Sequence, residues 1–158
     1  MTRIVSGSCL CSAVTFEVSG KIDAFFLCHC SRCRKDTGSA HASNLFAADA
    51  TLTWLTGGNQ VRTFRLPDTR HAKSFCSVCG SALPTVEAKG VTIPAGSLDD
   101  IVAIRPDAHI FGASRAAWDH DLDDVPVHDG LPGVPSSDWA VDNATAHGLA
   151  VAGVMRLG

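Results

Sequence analysis

The chain has 158 residues, a net charge of -3 and a mean hydropathy of +0.15, values typical of one folded domain, or of one domain with a tail. A pI near 6.1 provides no basic surface for nucleic acid. No apolar run approaches the roughly 20 residues of a membrane-spanning helix. No apolar leader follows Met1, so we expect a cytoplasmic protein that binds neither nucleic acid nor membrane.

Short runs of alternating or β-branched residues recur along the chain, separated by glycine and proline, and predict a mainly β fold with short helical turns. A strand pair is predicted within residues 3–18. Further strands are predicted at Ala24–Cys28, Leu45–Ala48, Thr51–Leu55, Val61–Leu66, Val91–Gly96 and Ile101–Ile104. Lys73–Cys76 leads into the last cysteine pair, and Ala108–Phe111 follows a proline. Ser31–Gly38 is expected to be a loop or a single helical turn.

Two segments near the C-terminus differ in composition from the rest. Asp119, Asp121, Asp123, Asp124 and Asp129 crowd together without the ligand spacing of a calcium loop, which indicates a solvated acidic loop. Residues 136–158 are small and apolar. The predicted domain therefore spans residues 1–134, and residues 135–158 are expected to form a tail, either a weak helix or a mobile segment.

The seven cysteines carry the clearest functional signal, and they fall into three short motifs. In a thiol-reducing cytoplasm, closely spaced cysteines favour metal binding over disulfides, and an odd number of cysteines fits disulfides poorly. An iron–sulfur cluster is an alternative, but the compact motif plus the distant pairs fits zinc better.

The first and last motifs together supply four thiols. Cys9 and Cys11 are two residues apart, so on a strand both sulfurs would point to the same face. Cys76 and Cys79 have the spacing of a zinc knuckle, and Gly80 permits the left-handed backbone that such a turn uses. These four thiolates predict a closed, structural zinc site that ties residue 9 to residue 79.

The middle motif supplies the other three thiols, Cys28, Cys30 and Cys33, within six residues. Three protein ligands leave one tetrahedral position open, which is typical of a catalytic zinc. A soft ligand such as a small-molecule thiol would suit that position. Alternatively, Cys28 is a buried core thiol, and His29 is either a fourth ligand or, as we expect, a hydrogen-bonded structural histidine.

Three cations follow these cysteines, namely Arg32, Arg34 and Lys35. They are either surface charges or groups that lower the thiol pKa values and attract carboxylates. The remaining histidines, which are His41, His71, His109, His120, His128 and His147, show no metal-ligand spacing and are each expected to be structural or exposed.

The cysteine motifs are accompanied by further residues in a fixed order, and the whole pattern covers about residues 3–134. It comprises Gly7-x-Cys9-x-Cys11, Cys28-His29-Cys30-x-x-Cys33-Arg34-x-x-x-Gly38-Ser39, Phe75-Cys76-x-x-Cys79-Gly80, Arg105-Pro106-x-Ala108-His109-Ile110-Phe111, Ser114, Trp118 and Asp123-Asp124-x-Pro126. With this pattern the chain resembles the glutathione-dependent formaldehyde-activating enzyme family, which includes the centromere protein V relatives.

The resemblance implies an Mss4-like zinc-binding β fold with two zinc sites. It implies a structural zinc on Cys9, Cys11, Cys76 and Cys79, and a catalytic zinc on Cys28, Cys30 and Cys33. The implied activity is that of a carbon–sulfur lyase, which joins glutathione and formaldehyde as S-hydroxymethylglutathione. The rival hypothesis is a non-catalytic zinc-binding structural or interaction module of the same fold. Exposed strand edges also favour a homodimer.

Overall fold

The computed structural model describes residues 3–133 and Pro135. They form eleven strands, which are β1 Arg3–Ser8, β2 Thr15–Gly20, β3 Ala24–Cys28, β4 Ala42–Ala47, β5 Thr51–Thr56, β6 Val61–Arg65, β7 Ala72–Cys76, β8 Ala82–Leu83, β9 Thr85–Glu87, β10 Gly90–Pro94 and β11 Ala108–Ile110. One α-helix, α1, spans Ser31–Thr37. The prediction of a mainly β fold with short helical segments is therefore confirmed.

The strands form three sheets, whose orders are β1-β2-β5, β11-β3-β4-β10-β9 and β6-β7-β8. The pairings are antiparallel except for β11, which runs parallel to β3 and aligns His109 with Leu27 and Ile110 with Cys28. Through this pairing a late segment of the chain lies beside the strand that ends in the middle cysteine motif.

Strand alternation explains the core. In β2, Phe16 and Val18 are buried while their neighbours are partly exposed, and Val91 and Ile93 do the same in β10. Phe16 is fully buried and meets the Trp54 ring edge-on. Burying an aliphatic or aromatic side chain of this kind contributes about 1.5–3 kcal/mol. Two cysteines of the outer motifs, Cys9 and Cys76, belong to the same core.

The predicted strand at Ile101–Ile104 is wrong. No strand is formed over these four residues, and Ile101 is 95% exposed, while Val102 and Ile104 pack against the core. Within the segment, the Ile104 N–H donates a hydrogen bond to the Val102 C=O at 2.7 Å. The apolar residues of this segment therefore reflect the packing of one side of an irregular segment against the core.

The chain divides into two compact units, residues 1–120 and residues 121–158. The first unit holds all the strands and α1, and the described part of the second holds a 3₁₀ turn at Leu122–Asp124. Apart from Pro135, the predicted tail at residues 135–158 lies outside the described residues. Within residues 3–133, no helix is both long and apolar enough to cross a membrane.

Candidate metal centres

The outer cysteine motifs meet in one cluster. The ligand sulfurs of Cys9, Cys11, Cys76 and Cys79 all lie within 4.8 Å of one another. The Sγ atoms of Cys9 and Cys11 are 3.6 Å apart, close to the roughly 3.8 Å edge of a tetrahedron with zinc–sulfur bonds of about 2.3 Å. The donor set and its spacing therefore fit a zinc ion.

Turn geometry, rather than strand alternation, brings Cys9 and Cys11 together. Strand β1 ends at Ser8, and the chain then turns through Ser12 at φ 58°, which leaves Leu10 86% exposed. The Cys9 N–H donates to Val14 C=O at 3.0 Å, which closes this turn. The sequence analysis therefore predicted correctly that the two sulfurs lie on the same side, but it wrongly attributed this placement to a strand.

The knuckle at the end of β7 has the backbone that its sequence predicted. Gly80 has φ 76°, and its N–H donates to Cys76 C=O at 2.8 Å. That left-handed conformation costs a residue with a Cβ about 1 kcal/mol or more. The turn places the partly exposed Cys79 beside the fully buried Cys76.

Electrostatics in this cluster favour a bound cation. Burial opposes ionisation of Cys79, but the N–H groups of Ser81 and Cys11 outweigh it and lower the pKa of Cys79 to about 7. The N–H of Ala13 favours the Cys11 thiolate, yet burial and the neighbouring thiols of Cys79 and Cys9 raise the pKa of Cys11 to about 12. Closely packed sulfurs resist joint ionisation, and a divalent cation removes that obstacle.

The middle motif forms a second cluster. The sulfurs of Cys28, Cys30 and Cys33 lie within 4.8 Å of one another, and among the described residues no histidine or carboxylate completes the group. Cys28 ends β3 and is 7% exposed, whereas Cys30 and Cys33 are half-buried. The three sulfurs fit a soft divalent metal such as zinc and leave one coordination position for another ligand.

The first turn of α1 positions the sulfurs of Cys30 and Cys33. Cys30 is the N-cap of the helix, and its Sγ accepts the Cys33 N–H at 3.4 Å. Burial works against the Cys30 thiolate, but this N–H and the neighbouring thiols lower the pKa of Cys30. Burial raises the pKa of Cys28 and of Cys33. Cys30 is therefore the thiol of this cluster that ionises most readily.

His29 lies outside the sulfur cluster and anchors the motif to the rest of the fold. Its side chain is 1% exposed, with Nδ1 2.9 Å from Asp119 Oδ2 and Nε2 hydrogen-bonded to His109 Nδ1 at 2.7 Å. The backbone N–H of His29 donates to the backbone C=O of Ile110, and the backbone C=O of His29 accepts a hydrogen bond from Arg34 Nε. Burial and the Arg115 cation lower the pKa of His29, which Asp119 opposes in part.

Arg115 completes this network, which we call the His29 network and define as His29, His109, Arg115 and Asp119. Its Nε is 3.4 Å from Asp119 Oδ2, and its Nη2 lies 3.2 Å from His109 Nδ1. The His41 ring lies 5.1 Å from the His29 ring. His29, His41 and His109, which are far apart in the sequence, therefore lie together beside the middle motif.

One sequence interpretation is wrong here, and the structure adds a contact for one of the three cations. Asp119 was assigned to a solvated acidic loop, but it is only 8% exposed, and the Arg115–Asp119 spacing of four residues was the available signal. Of the three cations after the motif, Arg34 supports the His29 backbone, whereas Arg32 and Lys35 are exposed.

The part of the chain that contains all seven cysteines matches a known family. The model of the family described as glutathione-dependent formaldehyde-activating enzyme matches residues 4–114. The chain belongs to this family. The match includes every cysteine, and it is shorter than the span of about residues 3–134 over which the sequence pattern extends. A mainly β fold with two cysteine clusters is consistent with the Mss4-like zinc-binding fold.

Comparison with curated proteins finds no significant match. Among solved structures, the crystal structure of a Rhodobacter sphaeroides protein, a structural genomics target, is similar at 18% sequence identity and a TM-score of 0.48. The similarity covers 66% of this chain and 98% of that protein. Arg115 and Asp119 of the His29 network lie just beyond the residues that match the formaldehyde-activating enzyme family.

The His29 network makes a testable contribution to stability. Asp119→Asn removes the charge that faces both His29 and Arg115, and we expect it to lower the free energy of unfolding by about 1–3 kcal/mol. Urea denaturation followed by circular dichroism measures the change. Asp123→Asn, at an exposed position, is the control and should stay within about 0.5 kcal/mol of the wild type. Equal stability of the two variants would contradict the prediction.

Proposed function

We propose that the protein is a zinc-dependent enzyme of the carbon–sulfur lyase type that joins a small-molecule thiol such as glutathione to formaldehyde or a related small carbonyl. The observation that carries the proposal is the three-sulfur cluster of Cys28, Cys30 and Cys33, which has no fourth ligand among the described residues, in a chain of this family. The product would be S-hydroxymethylglutathione.

In this proposal the two clusters have different roles. Cys9, Cys11, Cys76 and Cys79 would hold a structural zinc with four protein ligands, and Cys28, Cys30 and Cys33 would hold the second. Zinc bound at the second cluster would supply a position for the substrate sulfur and electrophilic assistance. The chain itself orients the sulfurs through the N-cap at Cys30, and it holds the motif through the contacts of His29.

The reaction balances without an oxidant or a reductant. The substrate sulfur forms a bond to the formaldehyde carbon, the carbonyl π bond breaks, and the thiol proton is replaced by one on the new hydroxyl oxygen. A thiol substrate also agrees with the reducing cytoplasm that we propose as the location, where free cysteines persist.

The rival function is a non-catalytic zinc-binding module. It is favoured by the way the middle cluster joins the end of β3 to the start of α1, because a metal there would also brace the fold. Under this hypothesis the fourth position is filled by water, and thiols do not affect the metal.

Zinc content and catalysis together test the proposal. We expect two zinc ions per chain by elemental analysis, falling to one on dialysis against glutathione, while the closed four-sulfur site retains its metal. With ¹³C-formaldehyde and glutathione, NMR exchange spectroscopy should show faster formation and breakdown of the adduct with the protein than without it. Two retained zinc ions and an uncatalysed exchange rate would favour the rival function.

A further inference from the structure

A small cavity of about 250 Å³ opens on the side of α1 that does not carry a metal ligand, and all of its walls belong to the first unit of the chain. Arg34 and Gly38, which are four residues apart, lie on this side of the helix and line the cavity. Cys33 and Asp36, which are three residues apart, lie on the other side and line a separate cavity that also contains Lys73. The small cavity is therefore distinct from the surroundings of the middle cysteine cluster.

Two cations and no acid line this small cavity. Arg34 is half-buried and Lys35 is exposed, and within residues 3–133 neither of them forms an ion pair. Asp36, the acid next to Lys35, has its Oδ1 2.7 Å from Lys73 Nζ instead. Because the described part of the chain provides no counter-charge here, the cavity attracts an anion.

The Arg34 side chain is already fixed in the orientation that an oxyanion needs. Its Nε donates to the His29 C=O at 3.2 Å, and no hydrogen bond within residues 3–133 uses its two terminal nitrogens. A guanidinium presents such nitrogens as a planar fork that matches two oxygens of a carboxylate or a phosphate. A side chain that is already ordered also loses less entropy on binding. Ser39 adds a hydroxyl donor to the same cavity.

Trp118 forms the apolar wall of the cavity and is 65% exposed. An exposed indole presents a flat face on which another planar ring can stack, and stacking of a nucleobase on an aromatic side chain is worth about 1–3 kcal/mol. The volume lies just below the roughly 300–1,000 Å³ of sites for drug-sized ligands. The cavity therefore suits a small ligand that combines an anion with one planar ring system.

We propose that this cavity binds a phosphate monoester that carries a planar aromatic group, such as a nucleoside monophosphate. A phosphate monoester has a charge of about -1.5 to -2 and three acceptor oxygens, which match the charges of Arg34 and Lys35 and the hydroxyl of Ser39. A carboxylate has only one charge and two oxygens. The aromatic group stacks on Trp118. This site is separate from the metal centres and does not depend on the proposed function.

Isothermal titration calorimetry of the zinc-containing protein tests the ligand class with three probes. AMP carries both the phosphate and the ring, adenosine lacks the anion, and inorganic phosphate lacks the ring. We expect AMP to bind at least about tenfold more tightly than either of the other two, because only AMP uses the cations and Trp118 together.

Substitutions assign that affinity to the cavity. Lys35→Gln should weaken binding of AMP about tenfold, through loss of a charged contact to the phosphate. Trp118→Ala should weaken binding of AMP about tenfold and leave binding of inorganic phosphate unchanged. Arg32→Gln removes an exposed cation of the same helix that does not line the cavity, so it is the matched control and should leave AMP affinity unchanged.

Three results would overturn the proposal. AMP that binds no more tightly than inorganic phosphate would show that the ring contributes nothing. Equal effects of Lys35→Gln and Arg32→Gln would show only a general attraction between opposite charges. Displacement of bound AMP by glutathione would place the cavity in the thiol site. In contrast, AMP binding with the expected preferences in a protein that does not accelerate thiol–formaldehyde exchange would support this inference and refute only the proposed function.

Discussion

Replacing Cys76 by serine is expected to abolish stable folding. Cys76 is fully buried in the core, and its sulfur belongs to the cluster that joins the turn after β1 to the turn after β7. Zinc binding to structural sites is worth about 10–16 kcal/mol in small zinc-binding peptides. The whole stability of a domain is only about 5–15 kcal/mol. A hydroxyl group in place of one thiolate therefore removes much of what holds the domain together.

Thermal unfolding and zinc analysis of purified Cys76→Ser measure the effect. We expect loss of the cooperative transition and loss of the metal from this cluster. Val78→Ala changes an exposed side chain in the same turn and should leave stability within about 0.5 kcal/mol of the wild type. A Cys76→Ser protein that melts like the wild type and still binds two zinc ions would show that this cluster does not stabilise the fold.

Local sequence information predicted much of this architecture. The alternation in β2 and the apolar run of β3 identify strands because side chains of successive residues point to opposite faces. The spacing of Cys28, Cys30 and Cys33 predicted one cluster because the three residues are close in sequence. The glycine after Cys79 likewise predicted the left-handed turn, since that conformation is a property of a single residue.

Apart from the four-cysteine cluster, whose motifs have a recognisable spacing, features that depend on distant parts of the chain were not predicted. Asp119 looked like one of several solvated acids, and only the fold reveals that it contacts His29, ninety residues earlier in the chain. The parallel pairing of β11 with β3 brings His109 to the same place. The cavity that contains Asp36 and Lys73 likewise depends on how α1 packs near β7, for which the sequence has no local signal.

Replacing Cys30 by serine is expected to separate catalysis from folding. Cys30 is partly exposed and caps α1, and serine is one of the preferred N-cap residues, so the helix keeps its cap. The three-sulfur cluster, however, loses the thiol that ionises most readily. We expect one zinc ion per chain in place of two, and thiol–formaldehyde adduct formation reduced by more than about 100-fold.

The measurements are zinc content, thermal unfolding and the ¹³C-formaldehyde exchange rate on the same preparation. Ser31→Ala, at the exposed first residue of α1, is the matched control and should keep both zinc ions and the full rate. The two substitutions should therefore have different effects. Cys30→Ser should give a folded but inactive protein, whereas Cys76→Ser should give an unfolded one. A fully active Cys30→Ser protein would remove the catalytic role from the middle motif and leave both clusters as braces of the fold.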